Sequence, residues 1–218
     1  MVGNKFRWNA YDSDNLVCAF DMSTINPATG KMKNLARTGS VFDATINGAL
    51  VLANPLIKCK KTKCMDFDGA TNYLSLANPI TSLTTFTIIY WITQDVTAGI
   101  HFSRASAANT FIYFNAGPQL VAFVAGAGPV TTPRYPVAAP YMICVTRDAT
   151  PIGKVYINGK FIAQAATGAT PADANAYIGQ YWDGTARFNC RLDNMLFYNV
   201  ALDASQISSI YRSANPRL

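Results

Sequence analysis

Near the end of the chain, apolar residues alternate with polar ones at Phe188, Cys190 and Leu192, then resume at Met195 and Phe197. The first set is even-numbered and the second odd. Alternate side chains on a strand point to opposite faces, so the change of parity predicts one long strand with an inserted residue at Asp193–Asn194. A helix is predicted to follow. Asp203 stands at its N-cap with Gln206 three residues on, Leu202 and Ile207 are placed for a hydrophobic staple, and Ile207, Ile210 and Tyr211 form one apolar stripe.

The same alternation marks strands upstream at 15–21, 63–76 (broken by a tight turn at Asp68–Gly69), 85–93, 99–104, 110–115, 119–125, 141–147 and 176–180. Residues 85–93 are apolar on both faces, which predicts a central strand. Lys154–Ala163 carries the strongest hairpin signal, with Asn158–Gly159 suited to a type I′ turn. Residues 22–54 are turn-rich and weakly patterned. Residues 126–140 hold four prolines and are expected to form a long semi-rigid loop rather than a ladder strand. Helices do not alternate with the strands, so the expected fold is all-β: a two-sheet antiparallel jelly-roll sandwich with one short C-terminal helix. Residues 1–14 read as an N-terminal arm and 15–218 as the jelly-roll domain.

Composition narrows the chemistry. Half of the 218 residues are apolar, all twelve acidic residues are aspartate, and His101 is the only histidine. The net charge is +6, with Lys31, Lys33, Arg37, Lys58, Lys60, Lys61 and Lys63 clustered early as a basic edge. Cys144 and Cys190 sit in apolar strand patterns as core residues. Cys59 and Cys64 lack zinc-motif spacing and read first as free thiols, with a local disulfide as the alternative. The opening MVGNKFRWNA has no signal-peptide core, and no apolar run reaches eighteen residues. The expectation is therefore synthesis in a cytoplasm without a signal peptide and without membrane insertion.

The succession LVCAFD, MDFDGATNYLSL, FTIIYWI, KVYINGKFIA, AYIGQ and FNCRLDNMLFYNVALDASQISSIY resembles the laminin-G-like jelly roll of the concanavalin A-like lectin/glucanase superfamily over about residues 15 to 213. The resemblance implies two curved antiparallel sheets, a concave face that often binds glycans or proteins, and in some relatives a structural calcium ion. Asp193 matches the acidic position at which relatives hold that ion. Asn194, and Thr71–Asn72 in FDGATNY, depart from the pattern, and Asp193 reads first as a hydrogen-bonding anchor of the bulge. No other cofactor is expected.

Three function classes follow. Glycoside hydrolysis needs two flanking carboxyl groups, supplied in jelly-roll glucanases by glutamates that this chain lacks. Asp66 and Asp68 read as turn formers, and His101 near Ser103 as a structural histidine without a nucleophile elbow. No catalytic residue is assigned. A glycan-binding module could use Tyr181, Trp182 and Asp183 in one loop, with Arg134 and Tyr135, and Tyr113, as further contacts. Jelly rolls of the family that this chain resembles also occur in phage virion proteins. A capsid decoration, head fibre or tail adhesin, partnered by other virion proteins or a cell-surface glycan, is the principal expectation. A cellular, extracellular lectin-like domain is the alternative. A homo-oligomer is left open, and no nucleic-acid motif accompanies the basic excess.

Overall fold

The computed structural model describes residues 14–21, 31–49, 51–53, 64–77, 79, 85–94, 98–104, 111–123, 129–136, 139–168 and 175–214. Apart from Asp14, the expected N-terminal arm lies outside them, as do Cys59, Lys58, Lys60, Lys61 and Lys63. Strands are numbered in chain order. The first sheet contains β1 (Leu16–Asp21), β4 (Val51–Ala53), β5 (Cys64–Asp68), β7 (Phe86–Gln94), β12 (Pro140–Arg147), β13 (Ile152–Ile157), β14 (Lys160–Ala166) and β16 (Asn189–Tyr198). The second contains β2 (Lys31–Met32), β3 (Ala44–Asn47), β6 (Tyr73–Ala77), β8 (Gly99–Arg104), β9 (Phe111–Phe114), β10 (Gln119–Phe123), β11 (Val130–Arg134) and β15 (Asn175–Ile178). All pairings are antiparallel, and helix α1 spans Ala204–Ala214.

The first sheet runs β14-β13-β12-β7-β16-β5-β4, so β7 is central as its two-sided apolar pattern requires. Phe86, Ile88, Tyr90 and Ile92 face the core between the sheets, whereas Ile89 and Trp91 face a second cluster with Ile207 and Ile210 of α1. The bulge in β16 lies where the parity change puts it: Leu192 pairs with Ile92 but Met195 with Tyr90, leaving one extra residue at Asp193–Asn194. It also marks a change of partner. Before it, Asn189–Leu192 pair with β5; from Asn194 onward β16 pairs with β1. The insertion keeps Cys190 and Leu192 on the same buried face as Met195 and Phe197.

The helix start is a closed capping box. Asp203 Oδ1 accepts from Gln206 N at 2.8 Å, and Gln206 Oε1 accepts from Asp203 N at 2.9 Å. The connection before it is pinned to β7, because Thr87 Oγ1 donates to Val200 O and accepts from Leu202 N. The β13–β14 hairpin turns on Asn158 (φ 51°) and Gly159 (φ 77°), as its sequence requires.

Two expectations need correction. The proline-rich 126–140 region is not a continuous loop: β11 occupies Val130–Arg134 and pairs with β10. It lies at the sheet edge, where Pro133 removes no obligatory ladder donor. The strands expected on either side of Asp68–Gly69 are β5 and β6, which belong to different sheets. The Asp68 turn carries the chain across the sandwich, with Asp68 Oδ1 accepting the N–H groups of Ala70 and Thr71 at 2.8 Å and of Asn72 at 3.2 Å. Cys64 is disulfide-bonded rather than free, while Cys18, Cys144 and Cys190 are buried cysteines outside any disulfide.

Candidate functional site

The second sheet runs β11-β10-β9-β8-β15-β6-β3-β2. Along β3, β6 and β15, inward residues such as Ala44, Leu74, Leu76, Ala176 and Ile178 join the core. Their neighbours must therefore face outward. Register aligns these outward residues in rows. Lys31 pairs with Thr45, Thr45 with Ser75, and Ser75 with Tyr177. Asn47 pairs with Tyr73 on one side of this row, and Ala77 with Asn175 on the other. Cross-strand partners share a face, so these residues form one surface.

That surface carries an open hollow of about 360 Å³, lined by Asp43, Thr45, Tyr73, Ser75, Leu76, Ala77, Asn175 and Tyr177. The rings of Tyr73 and Tyr177 lie 6.2 Å apart at 52°. Asn47 Nδ2 donates to Ser75 Oγ at 3.0 Å, and Asp43 Oδ1 accepts from Asn34 N at 2.8 Å. At the Tyr73 end, the Arg187 guanidinium stands 5.7 Å over the Tyr73 ring. Its Nε donates to Gln180 Oε1 at 2.9 Å, and its NH1 donates to the Ala70 carbonyl. Arg187 thus joins the Asp68 turn to the loop after β15. The two aromatic rings, the hydroxyls and the amides together can stack against a sugar ring and orient its hydroxyl groups.

Tyr181, Trp182 and Asp183 lie in the loop between β15 and β16, beside this surface rather than on it. Tyr181 and Trp182 are half-buried with ring centroids 5.9 Å apart, and Asp183 is exposed. Asp183 Oδ1 is engaged by Thr185 N and Oγ1 within its own turn, and the Trp182 Nε1–H is occluded without an acceptor among the described residues. Arg134 and Tyr135 stand at the end of β11. Four strand spacings, about 19 Å, separate β11 from β15, so the structure does not join the two predicted groups into one site. Tyr135 is packed edge-on against Tyr141 at 5.5 Å. Tyr113 is half-buried in β9.

Asp193 and Asn194 are buried at the bulge, where Asn194 Nδ2 donates to Asp193 Oδ1 at 3.2 Å. Among the described residues, no three His, Cys, Asp or Glu side chains gather as metal ligands. The carboxylates placed at the bulge are Asp193 and, paired opposite Asn194 on β1, Asp21, fewer than the three ligating side chains of a metal cluster, so no step below passes through a metal. His101 is buried between the sheets, with Nδ1 2.7 Å from the Tyr90 hydroxyl, and Ser103 Oγ donates to Gln180 O at 2.8 Å. Neither lines the hollow.

A profile described as the concanavalin A-like lectin/glucanases superfamily matches residues 68–208. No curated protein matches the sequence. Among solved structures, the chain is similar to the binding domain of Paraclostridial mosquitocidal protein 1, with TM-score 0.72 and 15% identity over 92% of this chain and 52% of that one. It is similar to botulinum neurotoxin type C, whose cell entry depends on interaction with two ganglioside molecules, with TM-score 0.71 and 11% identity over 95% of this chain and 53% of that one. It is also similar to domain 4 of AbnA, a GH43 extracellular arabinanase from Geobacillus stearothermophilus, solved with arabinotriose. There the TM-score is 0.68 and the identity 17%, over 90% of this chain and 98% of that one. The chain spans about half the length of the toxin structures and nearly all of the arabinanase domain. At these identities the likeness establishes the fold.

Proposed function

This chain belongs to the concanavalin A-like lectin/glucanases superfamily, and we propose that it is a non-catalytic module that binds glycans on the outer face of β3, β6 and β15. The observation that carries this reading is the pair Tyr73 and Tyr177, set 6.2 Å apart and lining one hollow with Thr45, Ser75 and Asn175. Tilted aromatic rings bordered by hydroxyl and amide groups match the alternating apolar and hydroxylated faces of a sugar. The arabinotriose held by the arabinanase domain and the gangliosides used by the neurotoxin support the class of ligand by analogy of fold.

Binding without cleavage follows from the shortage of acids. Glycoside hydrolysis uses two carboxyl groups about 5–10 Å apart on either side of the scissile bond. Asp43 is the single carboxylate among the described residues lining the hollow, and the whole sequence has no glutamate. Calorimetric titration with neutral oligosaccharides tests the reading. Binding weakened about tenfold in Tyr177→Ala, with the circular dichroism spectrum unchanged, supports it. Equal binding by Tyr177→Ala combined with loss in Trp182→Ala moves the site to the 181–183 loop.

The setting we propose is the exposed surface of a virus particle, in contact with other particle proteins, with a free-standing cellular lectin as the alternative. Its support is sequence context, namely the occurrence of such jelly rolls in virion proteins and a composition rich in Ala, Thr and Asn. Recovery in purified particles at fixed stoichiometry favours it, and absence from them favours the cellular lectin.

A further inference from the structure

We infer that the glycan is linear and anionic, lying across the strands with its acidic group at Lys31, an inference that rests on the glycan-binding reading above. Lys31, Thr45, Ser75 and Tyr177 are successive cross-strand partners on β2, β3, β6 and β15. Met32, the next residue after Lys31, is fully buried opposite Ala44, which fixes Lys31 on the outward face. Three strand spacings separate Lys31 from Tyr177, about 14 Å, which is the length of a trisaccharide. The row thus offers an aromatic ring at one end, two hydroxyls in the middle and an exposed ammonium at the other end.

Charge also sets the position of the ligand along the face. Asp43, two residues before Thr45, lines the hollow beside the Ala77–Asn175 pair. Continuing the Lys31–Thr45 and Met32–Ala44 register brings exposed Lys33 level with Asp43, so that row carries offsetting charges, whereas the Lys31, Thr45, Ser75 and Tyr177 row carries a positive charge and no carboxylate and is the one that favours an acidic group. A lysine ammonium is a compact point charge, so it recognises a carboxylate by charge rather than by a forked geometry.

The test compares trigalacturonate with its methyl ester, which has the same length and rings without the charge. Titrations are run with the wild type, Lys31→Gln, Lys31→Arg and Tyr177→Ala at low salt. The inference expects the acid to bind about fivefold more tightly than the ester, the size of one exposed ion pair. It expects that gap to close in Lys31→Gln and in about 0.5 M salt, and to persist in Lys31→Arg. Equal affinity for acid and ester, both weakened in Tyr177→Ala, overturns the charge inference and leaves the binding face standing. A gap that survives in Lys31→Gln also overturns it. If neither trisaccharide binds any variant, both this inference and the binding face are overturned.

Discussion

The hydroxyl of Tyr90 and Nδ1 of His101 meet 2.7 Å apart between the two sheets, with the Phe188 ring centroid 4.3 Å from that of the imidazole. Burial pushes the His101 pKa down from 6.5 to about 3. The native state therefore keeps this imidazole neutral, while the unfolded chain protonates it below 6.5. Its contribution is fully present above that value and is lost as the pH falls toward about 3. At Asp148, burial raises the pKa, but hydrogen bonds from Thr150, Lys154 and Ile152 N outweigh it and hold the carboxyl at about 2. The stabilisation from that carboxylate is present above about pH 4 and is lost only as the pH falls further. The interval from about pH 7 to about pH 4.5 therefore isolates the histidine, and urea unfolding should lose about 2–3 kcal/mol across it. In His101→Gln that pH dependence should vanish, and an unchanged slope contradicts the assignment.

Gly179 (φ 82°) closes β15 against the other sheet, and a Cβ there would lie 2.5 Å from the Phe67 ring. Gly179→Ala therefore combines an unfavourable backbone conformation with a clash in the core. Denaturation should report a loss above about 1 kcal/mol. Gly184 has φ 79°, but a methyl group placed there meets nothing within 4 Å, so Gly184→Ala should cost less. Equal losses would show that packing against Phe67 contributes nothing.

Asp203 and Gln206 close one box with two reciprocal hydrogen bonds. Asp203→Ala and Gln206→Ala should each lower the thermal midpoint. The double variant should lose less than the sum of the two, because either change opens the same motif. Strict additivity, read by differential scanning calorimetry, would mean that the bonds act separately.

Tyr73 and Tyr177 act as one aromatic platform on the binding reading. Tyr177→Phe should retain most affinity and Tyr177→Ala should lose about tenfold, the scale of one aromatic contact. Tyr73→Ala should lose more than affinity, because Arg187 rests over that ring and ties Ala70 to Gln180. Its effect on the amide spectrum should reach the 180–187 loop, whereas that of Tyr177→Ala should remain within the sheet. Confinement of both effects to the sheet would remove Arg187 as the link.

Features written in contiguous residues are legible in the sequence. The bulge shows as a parity change, the capping box as Asp203 with Gln206, and the hairpin as Asn158–Gly159, because each is a local rule of backbone geometry. Whatever depends on partners distant in sequence is not. Pro133 argues against a strand unless its place at an edge is known. The two-residue β2 and three-residue β4 are too short to show a period. Tyr73 and Tyr177 alternate outward within their own segments, but only the β6–β15 pairing brings them to one surface. Aromatics adjacent in sequence, Tyr181 and Trp182, therefore stand out in the linear chain instead. Pairing with Thr45 likewise sets Lys31 apart from the other lysines of the basic edge.

The central claim is that the outer face of β3, β6 and β15 holds a glycan and leaves it intact. A proton–nitrogen NMR titration with an oligosaccharide reads both halves in one sample. The account predicts saturable shifts at the amides of Thr45, Ser75 and Tyr177, with the ligand's anomeric signals undiminished over a day. Shifts confined to other parts of the chain, or new reducing-end signals growing at an enzymic rate, would contradict it.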